Sequence, residues 1–269
     1  MWFNIVLYIC FAMLFSLICY VIYCYIIAKK TEKEKPISEF YEEVKSRKSF
    51  CKLDEISTNI KMTVITLEDK DFFSHKGFVI NKIFNAFYIN AKFRKIVLGG
   101  SCITQQLAKN MYFPFKKIYR RKICELFVAI KLEKTLTKKE ILEMYFNIIY
   151  FGMEQYNIKD ACEFYFDKDP SQVSLNQAIT LAALLPAPTK YNPLSSYGLF
   201  PQAKKRAVKK LCEQGILNSK DAQMFLNAAY DEELNNEITQ AYNTKLYDFY
   251  NTISTIKRFS KVRKQFSKV

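Results

Sequence analysis

From Trp2 to Ile27 the chain carries 26 consecutive residues without a charge, and the only clearly polar interruptions are Asn4 and Ser16. Such a run has few options, because in hydrocarbon every backbone N–H and C=O must find a partner inside the segment, which makes it a helix. At 1.5 Å per residue that helix is about 39 Å long, enough to cross a bilayer core of about 30 Å with some tilt. A cleavable signal peptide has a shorter apolar region, a basic start and a small-residue cleavage site. The pattern therefore favours a retained transmembrane anchor over residues 1–28. Lys29, Lys30, Lys33 and Lys35 come directly after the run. The positive-inside rule alone would hold the large domain in the cytoplasm, although long domains translocate despite flanking charge. Flanking charge leaves the orientation open.

The remaining residues suffice for one sizeable domain, and a chain that is 50% hydrophobic can bury a full core. Residues 29–52, rich in Lys and Glu and broken only at Pro36, read as a solvated juxtamembrane linker running into a helix. Over residues 53–230 helical periodicity dominates, with 6 glycines in the whole chain and few alternating β-branched runs, so the domain is predicted to be mainly α. Ile123, Leu126, Phe127 and Ile130 recur at i, i+3, i+4 and i+7 and predict an amphipathic helix. Thr137 to Glu140 and Ser174 to Gln177 read as capping boxes. Pro186 stops the second of those helices, and a further helix over 202–214 ends at Gly215. Residues 231–269 form a basic tail that fits either an amphipathic helix on anionic lipid or a solvated extension.

The formal net charge of +15 calls for an anionic partner: nucleic acid, membrane headgroups or a phosphorylated substrate. The anchor favours the last two. Eight cysteines show no paired C-x-x-C spacing, and three of them, Cys10, Cys19 and Cys24, fall in the apolar run, so most are read as small buried apolar residues. His75 is the sole histidine, which excludes a multi-histidine metal site. No G-x-S-x-G elbow, Walker loop or dinucleotide fingerprint occurs, and no organic cofactor is expected. Ser49 and Lys52 match S-x-x-K by coincidence, since neither S-D-N nor K-T-G occurs downstream.

Two carboxylates, Glu68 and Glu125, bracket the run from Gly99 and Gly100 through Ser101, Cys102, Thr104, Gln105 and Gln106 to Lys109 and Asn110. On a helix Ser101, Gln105 and Lys109 form one polar stripe, while Ile103, Leu107 and Met111 form an apolar one. The glycine entry permits close backbone approach, and a helix N-terminus offers N–H groups to a phosphate or sugar oxygen. An ordinary capped helix with a polar face gives the same pattern. Arg121 stands one turn before Glu125 and Lys122 three residues before it, with Lys116, Lys117 and Arg120 upstream. Such cations can neutralise a departing pyrophosphate, or merely form i,i+4 pairs on a solvated helix. Glu68 lies among Leu67, Phe72 and Phe73, and a partly buried carboxylate there would bind its proton more tightly and suit a general base.

Five blocks in order resemble the peptidoglycan glycosyltransferase family, specifically its monofunctional, membrane-anchored members. They are Glu68-Asp69 with Phe72, His75 and Gly77; Gly99 to Asn110; Arg121-Lys122 with Glu125, continuing to Glu143 through Asn147; Tyr150 to Phe166; and Leu181 to Pro193. The resemblance implies a lysozyme-like helical domain beside the outer leaflet of the cytoplasmic membrane. It implies that Glu68 is the general base and Glu125 a second essential carboxylate. Glu68 would deprotonate the 4-hydroxyl of lipid II, which attacks C1 of the lipid-linked glycan strand with inversion and release of undecaprenyl pyrophosphate. Lys109, Lys117, Arg121 and Lys122 match positions that bind or face those phosphates, and Ser101, Gln105 and Gln106 match donor-cleft contacts. Asp69, Phe72, His75, Gly77, Gly99, Gly100, Thr104 and Asn110 complete the motifs as support. The resemblance allows a divalent cation, Mg2+ or Mn2+, whose ligands are unknown. The implied partners are lipid II, the glycan strand, membrane lipids and other cell-wall synthesis or division proteins, with no nucleic acid. Residues 78–98 would be a membrane-facing lid.

Cys102 replaces the family's threonine, Asn157 and Asp167 stand where glycine is typical, Gln177 where glutamate is, and Lys117 where arginine is. Asn and Asp tolerate left-handed backbone better than other residues. The absence of acyl-serine motifs after Pro193 predicts no transpeptidase activity. A lytic transglycosylase-like enzyme and a non-catalytic membrane-tethered scaffold are the competing readings; the cations before Glu125 argue against the first and the intact carboxylates against the second.

Overall fold

A computed structural model of the protein describes residues 2–94, 99–113, 119–227 and 236–244. Among them the chain is mainly α-helical, and one isolated bridge, Gly152 to Gln155, is its only extended pairing. Lys117, Lys116 and Lys95, and the basic tail at 231–235 and from residue 245 on, lie outside the described residues. The helices are α1 (Trp2–Glu34), α2 (Ile37–Lys45), α3 (Thr58–Asp69), α4 (Ile80–Phe93), α5 (Ile103–Tyr112), α6 (Tyr119–Thr135), α7 (Lys138–Ile148), α8 (Ile158–Phe166), α9 (Leu175–Leu184), α10 (Pro188–Tyr191), α11 (Phe200–Glu213) and α12 (Ser219–Phe225). They divide into two compact units, Met1–Leu53 with Glu68–Ile149, and Asp54–Leu67 with Tyr150–Val269.

In the first unit α1 is exposed at every residue from Trp2 to Tyr20. Bare apolar surface of that extent, on a helix long enough to cross a membrane, is suited to lipid rather than water. The helix gains a protein partner only near its C-terminal end, where Cys24 and Ala28 are buried and Tyr25 meets Phe127 of α6 edge-on at 5.3 Å. The stretch expected to be a solvated linker is instead folded. α1 runs on to Glu34, and α2 buries Ile37, Phe40, Tyr41 and Val44, a 3–4 spacing that the Lys and Glu of its outer face conceal in the sequence. Tyr41 Oη and Leu53 N both donate to the carboxylate of Glu143 on α7, at 3.0 and 2.8 Å.

α6 forms where it is predicted, but its buried stripe is Cys124, Glu125, Val128, Ala129 and Leu132, one position round from the expected one. Ile123, Leu126, Phe127 and Ile130 are only half-buried. The reason is that α6 serves two neighbours: Cys124, Phe127 and Val128 meet the anchor, and Glu125 turns toward Lys109 of α5. α7 opens with the predicted Thr137–Glu140 capping box.

In the second unit, the Ser174–Gln177 box opens α9, which is buried from Asn176 to Leu184 and stops before Pro186. α11 begins at Phe200, two residues before the predicted start, because Pro201 fits a first turn, and Gly215 comes after it at φ +72°. Asp167 does adopt the left-handed backbone, at φ +52°. Asn157 does not: at φ −155° it is extended and caps α8 through Asp160 N.

Candidate active site

Glu68 lies at the C-terminal end of α3 and is half-buried. Gln106 Nε2 donates to its Oε2 at 2.6 Å, and Tyr145 Oη donates to Gln106 Oε1 at 3.0 Å. Tyr145 is wholly buried, which with the nearby charges of Glu68 and Asp69 holds its hydroxyl protonated far above the ordinary range. A fixed O–H at one end of the amide leaves its N–H to face Glu68 at the other. Glu68 is thus oriented by a neutral donor.

Asp69, the next residue, has 0% exposure and acts as an anchor for four segments. His75 Nε2 lies 2.7 Å from Oδ2, Ile103 N donates to the same oxygen at 3.1 Å, and Lys82 Nζ of α4 donates to Oδ1 at 2.7 Å. Burial by itself would raise the carboxyl's pKa, but the bonds from His75 and Lys82 outweigh it and hold the group below its usual range. Gly77 N donates to His75 Nδ1 at 3.1 Å, so Nε2 carries the imidazole proton toward Asp69. Gly77 itself needs φ +89°, and a Cβ there would sit 3.0 Å from Ala129 O. Phe72 is buried under Lys138 Nζ, 4.4 Å from its ring centre. The Asp69, Phe72, His75 and Gly77 motif therefore fixes the end of α3 that carries Glu68.

The run from Gly99 to Asn110 becomes α5, but not with the polar stripe expected. Ser101 precedes the helix, Cys102 is its N-cap, and Gln105 is 2% exposed with Oε1 accepting from Cys102 N. The N–H of Ile103 is taken by Asp69, so this helix start is satisfied by a protein carboxylate rather than held out to a phosphate. A Cβ on Gly100 would lie 3.0 Å from Lys82 O and 3.1 Å from Ala86 Cβ, so the close backbone approach is to α4; Gly99 faces open space. Thr104 is buried and donates to Glu133 Oε1 at 2.6 Å, and Asn110 is half-buried.

Glu125 is 1% exposed on the inward stripe of α6. Arg121 Nε lies 2.8 Å from its Oε1, close enough for an ion pair but without hydrogen-bond alignment. Lys122 Nζ bonds its Oε2 at 2.9 Å and Ser101 Oγ at 2.6 Å. Lys109 belongs to the same group: burial lowers its pKa, Arg121 and Lys122 lower it further, and Glu125 partly offsets them. Three cations around one carboxylate leave a surplus of positive charge, the arrangement that an anionic ligand neutralises. Gln106 and Lys109 are three residues apart on α5, which makes them neighbours on one helix face. One helix therefore carries both the partner of Glu68 and a member of the Glu125 cluster.

Neither acidic group suits a resident divalent ion. Both oxygens of Glu125 are paired with cations, and the oxygens of Asp69 that lie near His75 and Cys102 already meet Lys82, His75 and Ile103 N. Sequence reasoning missed Tyr145, which reads as one more core residue of α7, and the clasp of Lys82, whose partner lies 13 positions away. All described cysteines are free thiols, and Cys24, Cys51, Cys102, Cys124 and Cys162 are buried.

A helical domain with two unlike carboxylates joined through one helix, one of them set among excess cations and the whole tethered to an apolar helix, is a class recognisable in other proteins. The family model described as Transglycosylase matches residues 33–213, well over half of the chain, and the chain belongs to that family. The transglycosylase domain is lysozyme-like and mainly α, as expected. Penicillin-binding protein 1A of Aquifex aeolicus is 35% identical over 72% of this chain and 26% of its own length. Penicillin-binding protein 4 of Bacillus subtilis is 35% identical over 62% of this chain and 27% of its own, and penicillin-binding protein 2a of Streptococcus pneumoniae is 32% identical over 75% and 26%. The chain spans about a quarter of the length of these relatives.

Proposed function

We propose that the protein is a membrane-anchored peptidoglycan glycosyltransferase that polymerises lipid II into glycan strands without cross-linking them. The observation that carries this reading is the pairing on α5: Gln106 serves a half-exposed carboxylate, and one turn on Lys109 joins a buried carboxylate with surplus cations. Glycosyl transfer from a lipid diphosphate needs those two environments side by side. The attacking 4-hydroxyl needs a base, while the leaving diphosphate needs positive charge and no proton.

In this mechanism Glu68 accepts the proton of the acceptor hydroxyl as its oxygen bonds to C1 of the donor. The C1–O bond to the diphosphate breaks on the opposite face, the anomeric centre inverts, and undecaprenyl pyrophosphate departs. Lys109, Arg121 and Lys122 balance the charge that develops on the diphosphate, and Glu125 holds Arg121 and Lys122 in place. Lys117 would join them. A divalent ion could enter this site only with the substrate's phosphates as its main ligands. The apolar outer face of α4, with Phe84, Phe87, Tyr88 and Phe93 exposed, supports a lid that meets the membrane. A substrate with so long a polyprenyl tail, taken from the outer leaflet, puts the domain on the outer side of the membrane.

The test is direct. Full-length protein incubated with lipid II should yield glycan polymer on a gel, and Glu68→Gln should abolish it. Equal polymer from both proteins would remove Glu68 from the chemistry, and no polymer from the wild type with any acceptor would remove the reaction.

A further inference from the structure

Where the anchor meets the domain, α1 and α6 leave a cleft of about 160 Å³ between them. Its floor is apolar, formed by Tyr25, Phe127 and Val128, and its mouth carries Lys29, Lys131 and Glu32. Residue numbers rise together along the contact, from Tyr23 against Arg120 and Cys24 against Cys124 to Tyr25 against Phe127, so the two helices run parallel there. The apolar run exceeds a bilayer core by about 9 Å, or about six residues. Those surplus residues, up to Ile27, are where α6 is docked, and Lys29 comes within one turn of them. The cleft thus opens at headgroup depth, with its apolar floor toward the hydrocarbon and its lysines toward water.

Among the described residues neither Lys29 nor Lys131 has a carboxylate partner, although their neighbour Lys30 has Glu34 at 3.9 Å. Two unpaired ammonium groups over an aromatic floor suit a phosphodiester whose acyl chains continue along the exposed side of α1. Glu32, which lines the same cleft, accepts hydrogen bonds and so selects a headgroup that carries a donor. We propose that this cleft binds one anionic glycerophospholipid: its phosphate lies between Lys29 and Lys131, a headgroup hydroxyl donates to Glu32, and its chains cover Tyr25 and Phe127. The lipid would set the angle and depth of the domain on the membrane. It is distinct from the substrate cations, since neither lysine belongs to the Glu125 cluster.

The experiment reads bound lipid rather than turnover, so its outcome is independent of the glycosyltransferase reading. Full-length protein in detergent is equilibrated with equal phosphatidylglycerol and phosphatidylcholine of matched acyl chains, and retained lipid is counted by native mass spectrometry. Phosphatidylglycerol should be retained over phosphatidylcholine by roughly thirtyfold, the scale of two lysine–lipid contacts at about 1 kcal/mol each. Lys29→Gln with Lys131→Gln should erase that preference. Lys30→Gln with Lys33→Gln removes the same charge outside the cleft and should leave the preference intact. Val128→Trp, which fills the floor, should lower retention of phosphatidylglycerol while leaving every lysine in place, and helical circular dichroism checks that each variant is folded. Equal retention of the two lipids, or equal loss in both lysine variants, would overturn the site. Displacement of phosphatidylglycerol by undecaprenyl diphosphate at equal concentration would assign the cleft to substrate and overturn it as well.

Discussion

Glu68 and Glu125 are served by the same helix, yet they keep opposite company. Glu68 is half-exposed and receives an amide N–H whose other end is tied to Tyr145. Glu125 is 1% exposed and lies within 2.9 Å of two cations. The amide orients Glu68 without adding a charge, whereas both oxygens of Glu125 are engaged by cations. On the proposed reading, that difference makes the second acid a holder of positive charge and gives the first the part of the base. Single substitutions can attack either side of that contrast.

The largest effect belongs to Glu68. Glu68→Gln keeps size and hydrogen bonding but removes the base, and polymerisation should fall by about 10³-fold, within the range for loss of general-base catalysis. Steady-state rates with lipid II check this, and a loss under tenfold would make the two acids equivalent.

Next comes Asp69, which tests whether the Glu68 side is rigid. Asp69→Asn leaves Lys82 and His75 facing an amide, and should destabilise the protein by about 3 kcal/mol, as for a broken buried pair. The pH dependence has a definite sign. The folded carboxyl is held below its ordinary value, so its contribution is complete above pH ~4 and is lost as pH falls through the lower, folded pKa. The gap in denaturation midpoint between wild type and variant should be constant from neutral pH to about 5 and close in stronger acid. A gap of the same size under strongly acidic conditions would mean that the Asp69 charge is not what holds the segments.

Lys109 probes the cationic side. Lys109→Met should lower kcat/KM by roughly 10²-fold, the usual scale for one lost electrostatic donor. Burial together with Arg121 and Lys122 lowers its pKa, so the wild-type profile should decline with alkali earlier than an ordinary lysine would. Lys109→Arg, which stays charged, should move that decline to higher pH. An unchanged alkaline limb would take Lys109 out of the charge balance.

Much of this contrast was legible in the sequence, and the illegible part has a common cause. The anchor, the capping boxes of α7 and α9 and the Arg121, Lys122 and Glu125 group are all local patterns, spaced by one helical turn or by one uninterrupted apolar run. What escaped depends on partners brought together by folding. Gln105 reads as an open donor because nothing nearby in sequence reveals that it closes the cap of its own helix. The N–H of Ile103 reads as a phosphate ligand because Asp69 is 34 positions away. α2 reads as linker because its charged residues match its buried ones in number, and α6 presents two apolar faces whose ranking depends on the anchor.

The smallest expected effect is also the sharpest test of the contrast, because it shifts a pH profile more than it lowers a maximum. Gln106→Glu puts a second carboxylate against Glu68 in nearly the same volume, with Tyr145 still able to donate to it. Two acids sharing one hydrogen bond cannot both ionise easily, so the proton affinity of the pair rises. The base must be deprotonated to act, and the acid limb of kcat/KM should therefore move up by roughly one to three pH units. Activity at pH ~9 should recover most of the wild-type value, since the pair is then deprotonated. The same exchange of a neutral donor for a charge would have little effect beside Glu125, where cations already dominate. An acid limb left in place by Gln106→Glu would show that the proton is taken by a group other than Glu68, and the distinction between the two carboxylates would fail with it.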